Sequence, residues 1–347
     1  MIWISLTLFP WFADGRFDWC RHWPLVGGPT IESRLATWDA AHYLYLAKNG
    51  YQKDDIACAF YPLWPGLIRL FSIVTRIDIF TSGILLANVL SLAAVFLFHY
   101  LVRSQHGLET AKVATAFLLA FPGSIFFSFI YTEPLFLLLV VLFFIFLFQE
   151  NYWGVAATGF LLSLTKAVGI FCVLPLLWQL FALRRPARLA LAACGPVLGY
   201  ISYFFVMFAF TGNPWEGFEA QKYYENRPSI ANMFNLKGMF ATFCEIQDFG
   251  AALDRVLFLV FLGSLFWVYR LNKTYFVFAL AAGAIPALST WFVSYRRQIM
   301  MCFPLFIALG HHLKGRDNRL PRWYLLAVMA AIQSFFLVRY LNFMWAG

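Results

Sequence analysis

Charged residues are scarce in this sequence. Asp, Glu, Lys and Arg make up 12% of its 347 positions, whereas 62% are hydrophobic and 20% are aromatic. Ordinary soluble domains carry about 25% charged residues, so the composition excludes an ordinary soluble enzyme and indicates a polytopic membrane protein. Each membrane-spanning helix takes about 20 apolar residues. We therefore predict an all-α protein in which residues 1–347 form a single integral membrane domain.

Several motifs are also absent, and each absence removes a class of function. The six cysteines show no CxxC or metal-ligand spacing and the chain has no DxD motif, so we expect no metal site and no cofactor. No basic run is interleaved with aromatic residues, so the net charge of +9 is assigned to membrane topology and no nucleic-acid partner is expected. The two halves do not resemble each other as they do in inverted-repeat transporters.

Hydropathy, compared with turn and charge signals, predicts eleven membrane spans. They lie near 1–13, 79–102, 112–131, 133–149, 153–166, 168–183, 189–210, 251–269, 274–294, 298–313 and 323–341. The first is too short to cross a bilayer unless the membrane thins or the native start lies upstream, and it lacks the basic segment that begins a signal peptide.

The hydrophobic run at 60–76 decides the topology. Arg69 interrupts this run, and Arg76 and Asp78 close it at a length too short to cross a bilayer. If it lies along the membrane interface as an amphipathic helix, the basic clusters between the later spans all fall on one side, as the positive-inside rule requires. We therefore predict an interfacial helix here and cytoplasmic basic clusters.

Two large non-cytoplasmic loops follow from this choice. The first covers residues 14–78 and the second covers 211–250. Cys20 and Cys58 both fall in the first loop, where they could form a disulfide if that side of the membrane is oxidising.

The first loop contains an acid and a histidine between apolar segments. An acid beside the membrane is by default a candidate for function, because burying its charge is costly. Residues 37–48 are predicted to form a short helix with Thr37 as its N-cap. On such a helix Asp39, His42 and Tyr43 share one face at i, i+3 and i+4. Asp39 and His42 are therefore candidate catalytic residues.

Plainer interpretations of these two residues stay open. The carboxylate of Asp39 would cap its own helix or pair with Arg34, and His42 would be a hydrogen-bonded residue at the interface.

A few basic residues lie on the opposite side from the cytoplasmic clusters. They are Lys166, Arg296, Arg297 and Arg339, near the outer ends of predicted spans. Basic side chains at such positions can simply extend to the lipid headgroups. The adjacent pair Arg296 and Arg297 instead favours an anion site, because guanidinium groups bind phosphate oxygens in a bidentate manner.

An ordered set of motifs resembles one known family. The motifs are Trp38-Asp39-Ala40-Ala41-His42-Tyr43, Phe60-Tyr61-Pro62-Leu63-Trp64-Pro65, Phe121-Pro122, Tyr131-Thr132-Glu133, Ser163-Leu164-Thr165-Lys166, and Tyr295-Arg296-Arg297 before Phe303-Pro304-Leu305. Together, from about 36 to 310, they resemble the PIG-V-type mannosyltransferases, which are GT-C glycosyltransferases known from the second mannose transfer in GPI-anchor synthesis and from many bacterial homologues. The sequence differs where Thr132 replaces the usual serine, where Lys166 replaces the more usual arginine, and in the order of basic and aromatic residues at 295–297.

The resemblance implies a GT-C bundle of about eleven transmembrane helices, with juxtamembrane helices in the first outer loop. It also implies inverting transfer of a sugar, usually mannose, from a polyprenyl-phosphate donor to a lipid- or glycan-linked acceptor on the non-cytoplasmic face, among membrane lipids. A bacterial inner membrane is the expected location, or the ER membrane if the protein is eukaryotic.

Residue roles follow from this resemblance and from the charges. Asp39 is the expected general base, with His42 beside it. The donor phosphate is expected to contact Arg296, Arg297 and Lys166. Expected substrate contacts are Trp38, Tyr43, Tyr61, Tyr131, Glu133 and Tyr295. The alternatives are a lipid or solute transporter and a non-catalytic membrane scaffold.

Overall fold

Helices dominate the protein, as the hydropathy predicted. The structure, a computed structural model, describes residues 14–184, 188–224, 228–234, 249–289, 292 and 294–347. Helices make up 78% of it. Within those ranges the extended pairing is limited to one isolated antiparallel bridge between His22 and Thr37.

The helices vary widely in length. The α-helices are Ile31–Leu35, Asp39–Asn49, Leu63–Thr75, Ile79–His106, Leu108–Ala120, Glu133–Phe148, Tyr152–Thr165, Val173–Phe181, Arg188–Thr211, Glu216–Glu219, Ile230–Met233, Phe249–Leu271, Lys273–Ala284, Tyr295–Ile299, Pro304–Leu313 and Arg319–Leu341. The 3-10 helices are Phe17–Trp19, Ile56–Ala59, Pro122–Phe127, Ala167–Cys172, Ala220–Tyr224 and Pro286–Leu288.

Four of the described helices are long and apolar enough to cross a membrane. They are Ile79–His106, Arg188–Thr211, Ala252–Leu271 and Arg319–Leu341. Six shorter apolar stretches accompany them in the described part of the chain. The predicted count of eleven spans is therefore not confirmed, and the predicted span 1–13 lies outside the described residues.

Proline shortens several of the predicted spans. The span expected at 112–131 is helical only to Ala120, because Pro122 follows and begins a 3-10 segment. The span expected at 274–294 likewise ends as an α-helix at Ala284, just before Pro286. A proline lacks the backbone N–H and restricts the residue before it, so it ends an α-helix that hydropathy alone would extend.

The helices Tyr152–Thr165 and Arg188–Thr211 pack closely against each other. A Cβ atom at Gly195 would lie 2.2 Å from the carbonyl oxygen of Ala156, which no larger residue could tolerate. Small residues let membrane helices approach to backbone contact, and dispersion rather than the hydrophobic effect then holds them together.

The segment predicted to be interfacial forms the helix Leu63–Thr75. Its 13 residues extend about 20 Å, which is shorter than the roughly 30 Å hydrocarbon core. Trp64 is fully buried, whereas Ile73 and Val74 are 65% and 72% exposed, so the helix has one face on the protein and one apolar face outward. Arg76 ends it in the left-handed conformation. Its side of the membrane stays a prediction.

The second predicted loop, 211–250, is described only in part, because 225–227 and 235–248 lie outside the described residues. The disulfide considered for the first loop is absent, since Cys20 and Cys58 are both free thiols. The Cys58 thiol instead donates a hydrogen bond to the carbonyl oxygen of Gln52 at 3.0 Å.

Candidate functional site

The helix that carries the candidate base begins at Asp39 rather than at residue 37. Thr37 was predicted to be its N-cap, and this prediction was wrong: the Thr37 hydroxyl donates to the carbonyl oxygen of Arg21 at 3.2 Å. Trp38 occupies the N-cap position with φ 60° and ψ −125°. Its backbone N–H also donates to Arg21, at 2.7 Å. We call Asp39–Asn49 the acid helix.

The conformation of Trp38 is rare for a residue with a side chain. Such backbone strain costs about 1–3 kcal/mol and persists only where the surrounding structure enforces it. Two hydrogen bonds enforce the turn here. The Trp38 N–H donates to the carbonyl oxygen of Arg21, and the Ala41 N–H donates to the carbonyl oxygen of Trp38 at 3.1 Å. The turn determines where the side chain of Asp39 points.

A second short segment carries the arginine pair. The helix Tyr295–Ile299, which we call the arginine turn, follows Ser294 in the left-handed conformation at φ 62°. The 3-10 helix Pro122–Phe127 lies directly against it. A Cβ atom at Gly123 would lie 2.5 Å from the carbonyl oxygen of Arg296, so only glycine allows these two backbones to touch.

Four charged side chains from four separate segments form one connected cluster. Arg297 Nη1 donates to Asp39 Oδ2 at 2.6 Å, and Arg297 Nε lies 3.3 Å from Glu133 Oε1. Lys166 Nζ donates to the same Glu133 oxygen at 2.6 Å. Negative and positive charges therefore alternate in space in the order Asp39, Arg297, Glu133, Lys166. We call these four residues the charge chain.

The charge chain is shielded from solvent. The side chain of Glu133 is 1% exposed and that of Asp39 is 15% exposed. Burial alone would lower the pKa of Arg297, but the carboxylates of Asp39 and Glu133 raise it above its ordinary value. The contact between Arg297 Nε and Glu133 is an ion pair rather than an aligned hydrogen bond. The arginine therefore stays charged and pairs with both acids.

One carboxylate oxygen of Asp39 is available to accept a proton. Its Oδ2 accepts from Arg297, while its Oδ1 has no hydrogen-bond partner among the described residues. A carboxylate with a free oxygen can accept a proton, and the guanidinium on its other oxygen orients it.

Aromatic rings surround the Arg297 guanidinium. Its Cζ lies 5.3 Å from the centre of the Tyr131 ring and 5.6 Å from that of Trp345. Trp38 packs edge-on against Trp345 at 5.2 Å. These rings add cation–π attraction and keep water away from the cation. The structure therefore places Trp38 and Tyr131, two predicted substrate residues, beside the charge chain.

Tyr43 also lies beside the charge chain, whereas Tyr61 lies elsewhere. The hydroxyl of Tyr43 is 3.5 Å from that of Thr132, next to Glu133. Tyr61 is stacked on Tyr203 at 4.3 Å and joins a separate aromatic group.

Tyr295 also faces away from the charge chain, because its hydroxyl donates to the carbonyl oxygen of Gly283 at 3.0 Å. His42 stacks on Phe60 at 4.7 Å, and no hydrogen bond joins it to Asp39 in the described part of the chain. The pairing of Asp39 with Arg34 is also absent, since Arg34 instead pairs with Asp14.

Arg296 belongs to a different network from Arg297. Its backbone N–H donates to Asp254 Oδ1 at 2.9 Å, and its guanidinium donates to the carbonyl oxygens of Ala346 at 3.0 Å and Gly347 at 2.8 Å. Asp254 is 2% exposed and occupies a candidate membrane span. Sequence reasoning missed this acid, although an acid inside a span was itself a signal that could have found it.

Among the described residues, no group of three or more His, Cys, Asp or Glu side chains could hold a metal ion. The candidate site thus consists of the charge chain, with the free oxygen of Asp39, and the aromatic rings around it.

Comparison with known proteins agrees with the motif resemblance. Residues 29–182 match the family model described as Mannosyltransferase (PIG-V). This range is somewhat less than half of the chain and contains Asp39, Glu133 and Lys166, but not Arg297. The predicted resemblance is thereby confirmed over that range, and no curated protein matches the sequence.

One solved structure similar to this chain is ArnT from Cupriavidus metallidurans in the apo state. The TM-score is 0.55 at 14% sequence identity, and the match covers 95% of this chain and 62% of the ArnT chain. The protein thus spans less than two thirds of the length of ArnT. The likeness shows that this all-helical, integral membrane protein has a fold of the same type as ArnT.

Proposed function

We propose that this protein is a membrane glycosyltransferase that moves a sugar, mannose by the family match, from a polyprenyl-phosphate donor to a lipid- or glycan-linked acceptor. One observation carries the proposal: Asp39, within the range that matches mannosyltransferases, has one oxygen held by Arg297 and the other free. A carboxylate positioned in this way is suited to activate a hydroxyl.

The reaction is a single displacement with inversion. The acceptor hydroxyl oxygen attacks the anomeric carbon and gives its proton to Asp39 Oδ1, while the bond between that carbon and the phosphate oxygen breaks. The polyprenyl phosphate leaves with the bonding electron pair. Arg297 supports this step by holding the other oxygen of Asp39, so that Oδ1 is oriented toward the acceptor.

Among the three cations predicted to contact the donor phosphate, the geometry favours Lys166 and Arg297. Arg296 is engaged by Asp254 and by backbone carbonyls, so it has less capacity to receive another anion. Lys166 has three N–H donors, of which one is engaged by Glu133 in the described structure. The developing negative charge on the phosphate would meet these cations in a site with little water.

The decisive experiment combines purified protein with radiolabelled polyprenyl-phosphate mannose and native membrane lipids. Wild-type protein should transfer label to lipid, and Asp39→Asn should lower turnover by at least about 100-fold, the scale of a lost general base. Asp78→Asn is the matched control, since it makes the same change in the same loop at a helix N-cap where asparagine serves equally well.

Two results would contradict the proposal. Wild-type protein that transfers no sugar from any polyprenyl-phosphate donor would remove the function, and an Asp39→Asn variant with near-normal turnover would remove Asp39 from the mechanism.

We also propose that the site faces the non-cytoplasmic side. In a background without native cysteines, Arg76→Cys should be labelled from outside by an impermeant maleimide, and Arg103→Cys should not. These residues lie at opposite ends of the span Ile79–His106. The reverse labelling pattern would place the acid helix in the cytoplasm.

A further inference from the structure

A second group of polar and aromatic side chains lies one turn along the acid helix from Asp39. The rings of His42, Phe60 and Tyr224 contact one another, and the charges of Arg21 and Asp55 act on His42. We call these five residues the His42 cluster. Side chains at i and i+3 on a helix have Cβ atoms about 5–6 Å apart. The His42 cluster is therefore close to the candidate base without belonging to the charge chain.

Ring contacts hold the cluster together. His42 stacks on Phe60 with centroids 4.7 Å apart and planes at 24°, and it lies 6.3 Å from the ring of Tyr224. Phe60 and Tyr224 meet edge-on at 6.2 Å. These contacts join the first outer loop to residues of the second predicted loop, and Tyr224, at 39% exposure, opens the cluster to solvent.

Two buried polar atoms in the cluster have unmet hydrogen-bonding capacity. His42 is 6% exposed, and neither its Nδ1 nor the Nε of Arg21 has a hydrogen-bond partner in the part of the chain that the structure describes. Buried polar atoms are nearly always paired, so each unpaired one calls for an explanation. Polar groups of a bound molecule would supply the partners that these atoms lack.

The electrostatics favour a neutral molecule with hydroxyl groups. Burial, and next the charge of Arg21, lower the pKa of His42 to about 3, while Asp55 acts in the opposite direction. His42 is therefore uncharged at neutral pH, with one nitrogen that donates and one that accepts. The positive charge of Arg21 and the negative charge of Asp55 both act on the ring, so the cluster is not a simple anion site.

The cluster is also within electrostatic reach of the candidate base. Burial, and then the Asp39 carboxylate, raise the pKa of Tyr224, while Arg21 acts in the opposite direction. The charge of Asp39 therefore acts on Tyr224 as well as on the residues of the charge chain. Because His42 is three residues after Asp39 on the acid helix, a sugar ring bound at the cluster would lie next to the candidate base.

We propose that the His42 cluster is the subsite for the sugar ring of the acceptor, with His42 and Arg21 bonding its hydroxyl groups and Phe60 and Tyr224 packing against its apolar face. The assignment rests on the proposed function, because it is the acceptor whose hydroxyl must reach Asp39. It gives His42 a binding role in place of the catalytic role expected from the sequence.

The test measures binding of n-octyl α-D-mannopyranoside, a minimal lipid-linked sugar, to the full-length protein in nanodiscs free of sugar detergents. His42→Phe keeps a ring that can stack on Phe60 but removes both nitrogens, and Arg21→Gln provides a second variant that does not alter the acid helix. Each should weaken binding of the mannoside by about tenfold, the scale of one lost hydrogen bond in a buried site. Tyr200→Phe, in the separate aromatic group around Tyr61, should leave binding unchanged.

Two further probes separate the sources of binding. Farnesyl phosphate should bind His42→Phe and Arg21→Gln within about twofold of wild type, and 1-octanol should not displace the mannoside. If the two variants bind the mannoside normally, if wild type does not bind it, or if octanol displaces it, the proposal is overturned. Loss of farnesyl phosphate binding with normal mannoside binding would instead make the cluster a phosphate site and would also overturn it.

The outcome is distinguishable from failure of the proposed function. If binding of the mannoside maps to the cluster but no polyprenyl-phosphate sugar is used, the cluster stands as a sugar site and the transferase proposal falls. If transfer occurs but the cluster variants bind the mannoside normally, only the subsite falls.

Discussion

Arg296 and Arg297 are neighbours in one short helix, yet they belong to different regions of the molecule. Arg297 bridges Asp39 and Glu133 in the charge chain, whereas Arg296 bonds to Asp254 and to backbone carbonyls near residue 347. Successive helical residues point about 100° apart, so a single turn can serve two regions. We therefore propose that Arg297 takes part in the reaction and that Arg296 holds the turn in place.

The largest expected effect is at Arg297. Arg297→Ala would leave Asp39 without the cation that orients it and should reduce turnover by more than about 100-fold, the scale of one lost electrostatic contact in an active site. Arg297→Lys keeps the charge but cannot bridge two carboxylates, so we expect an intermediate loss of about 10- to 100-fold.

Initial rates in the radiolabel assay measure this, and Arg270→Ala, at an exposed helix end, serves as the control. If Arg297→Lys and Arg297→Ala are equally active and close to wild type, Arg297 is no more than an interfacial anchor.

A smaller effect is expected at Gly123, which should affect both arginines together. In Gly123→Ala the added Cβ would meet the Arg296 carbonyl oxygen at 2.5 Å and push the arginine turn away. Forced overpacking costs about 1–3 kcal/mol, and we expect about a tenfold loss of turnover with both arginines still present. Gly66→Ala is the matched control, because nothing lies within 4 Å of its Cβ position. Equal rates for the two variants would show that this backbone contact does not position the turn.

The smallest effect on turnover is expected at Asp254. Asp254→Asn retains an oxygen for the Arg296 N–H but loses the charge beside the guanidinium, so stability should fall by about 1–3 kcal/mol. Turnover should fall by only a few-fold, since Arg297 keeps its own partners. The apparent Tm in detergent and the initial rate are compared with those of Asp317→Asn, an exposed acid. If Asp254→Asn lowers turnover without lowering stability, Arg296 also acts in the reaction and does not differ from Arg297 in role.

Part of this site was accessible from the sequence. Asp39 was expected as the key acid because a lone carboxylate among apolar residues is costly, and its match to the mannosyltransferase family agrees. The short helix Leu63–Thr75 followed from charge placement. The sequence placed Arg296 and Arg297 side by side as candidate phosphate contacts, but sequence spacing does not report which partner each side chain meets. Asp254 was overlooked although an acid inside a predicted span is a signal of function.

Composition and hydropathy alone determined that this is a helical membrane protein and that an acid such as Asp39, alone among apolar residues, is costly to bury without a purpose. Tertiary structure decided which charges meet. Asp39, Glu133, Lys166 and Arg297 come from distant segments, and they form one chain because each buried charge is stable only beside an opposite one. The backbone of the arginine turn lies directly against Gly123. No local sequence pattern carries that information, because it depends on segments that are far apart in the sequence and in contact in space, such as those of Gly123 and Arg296.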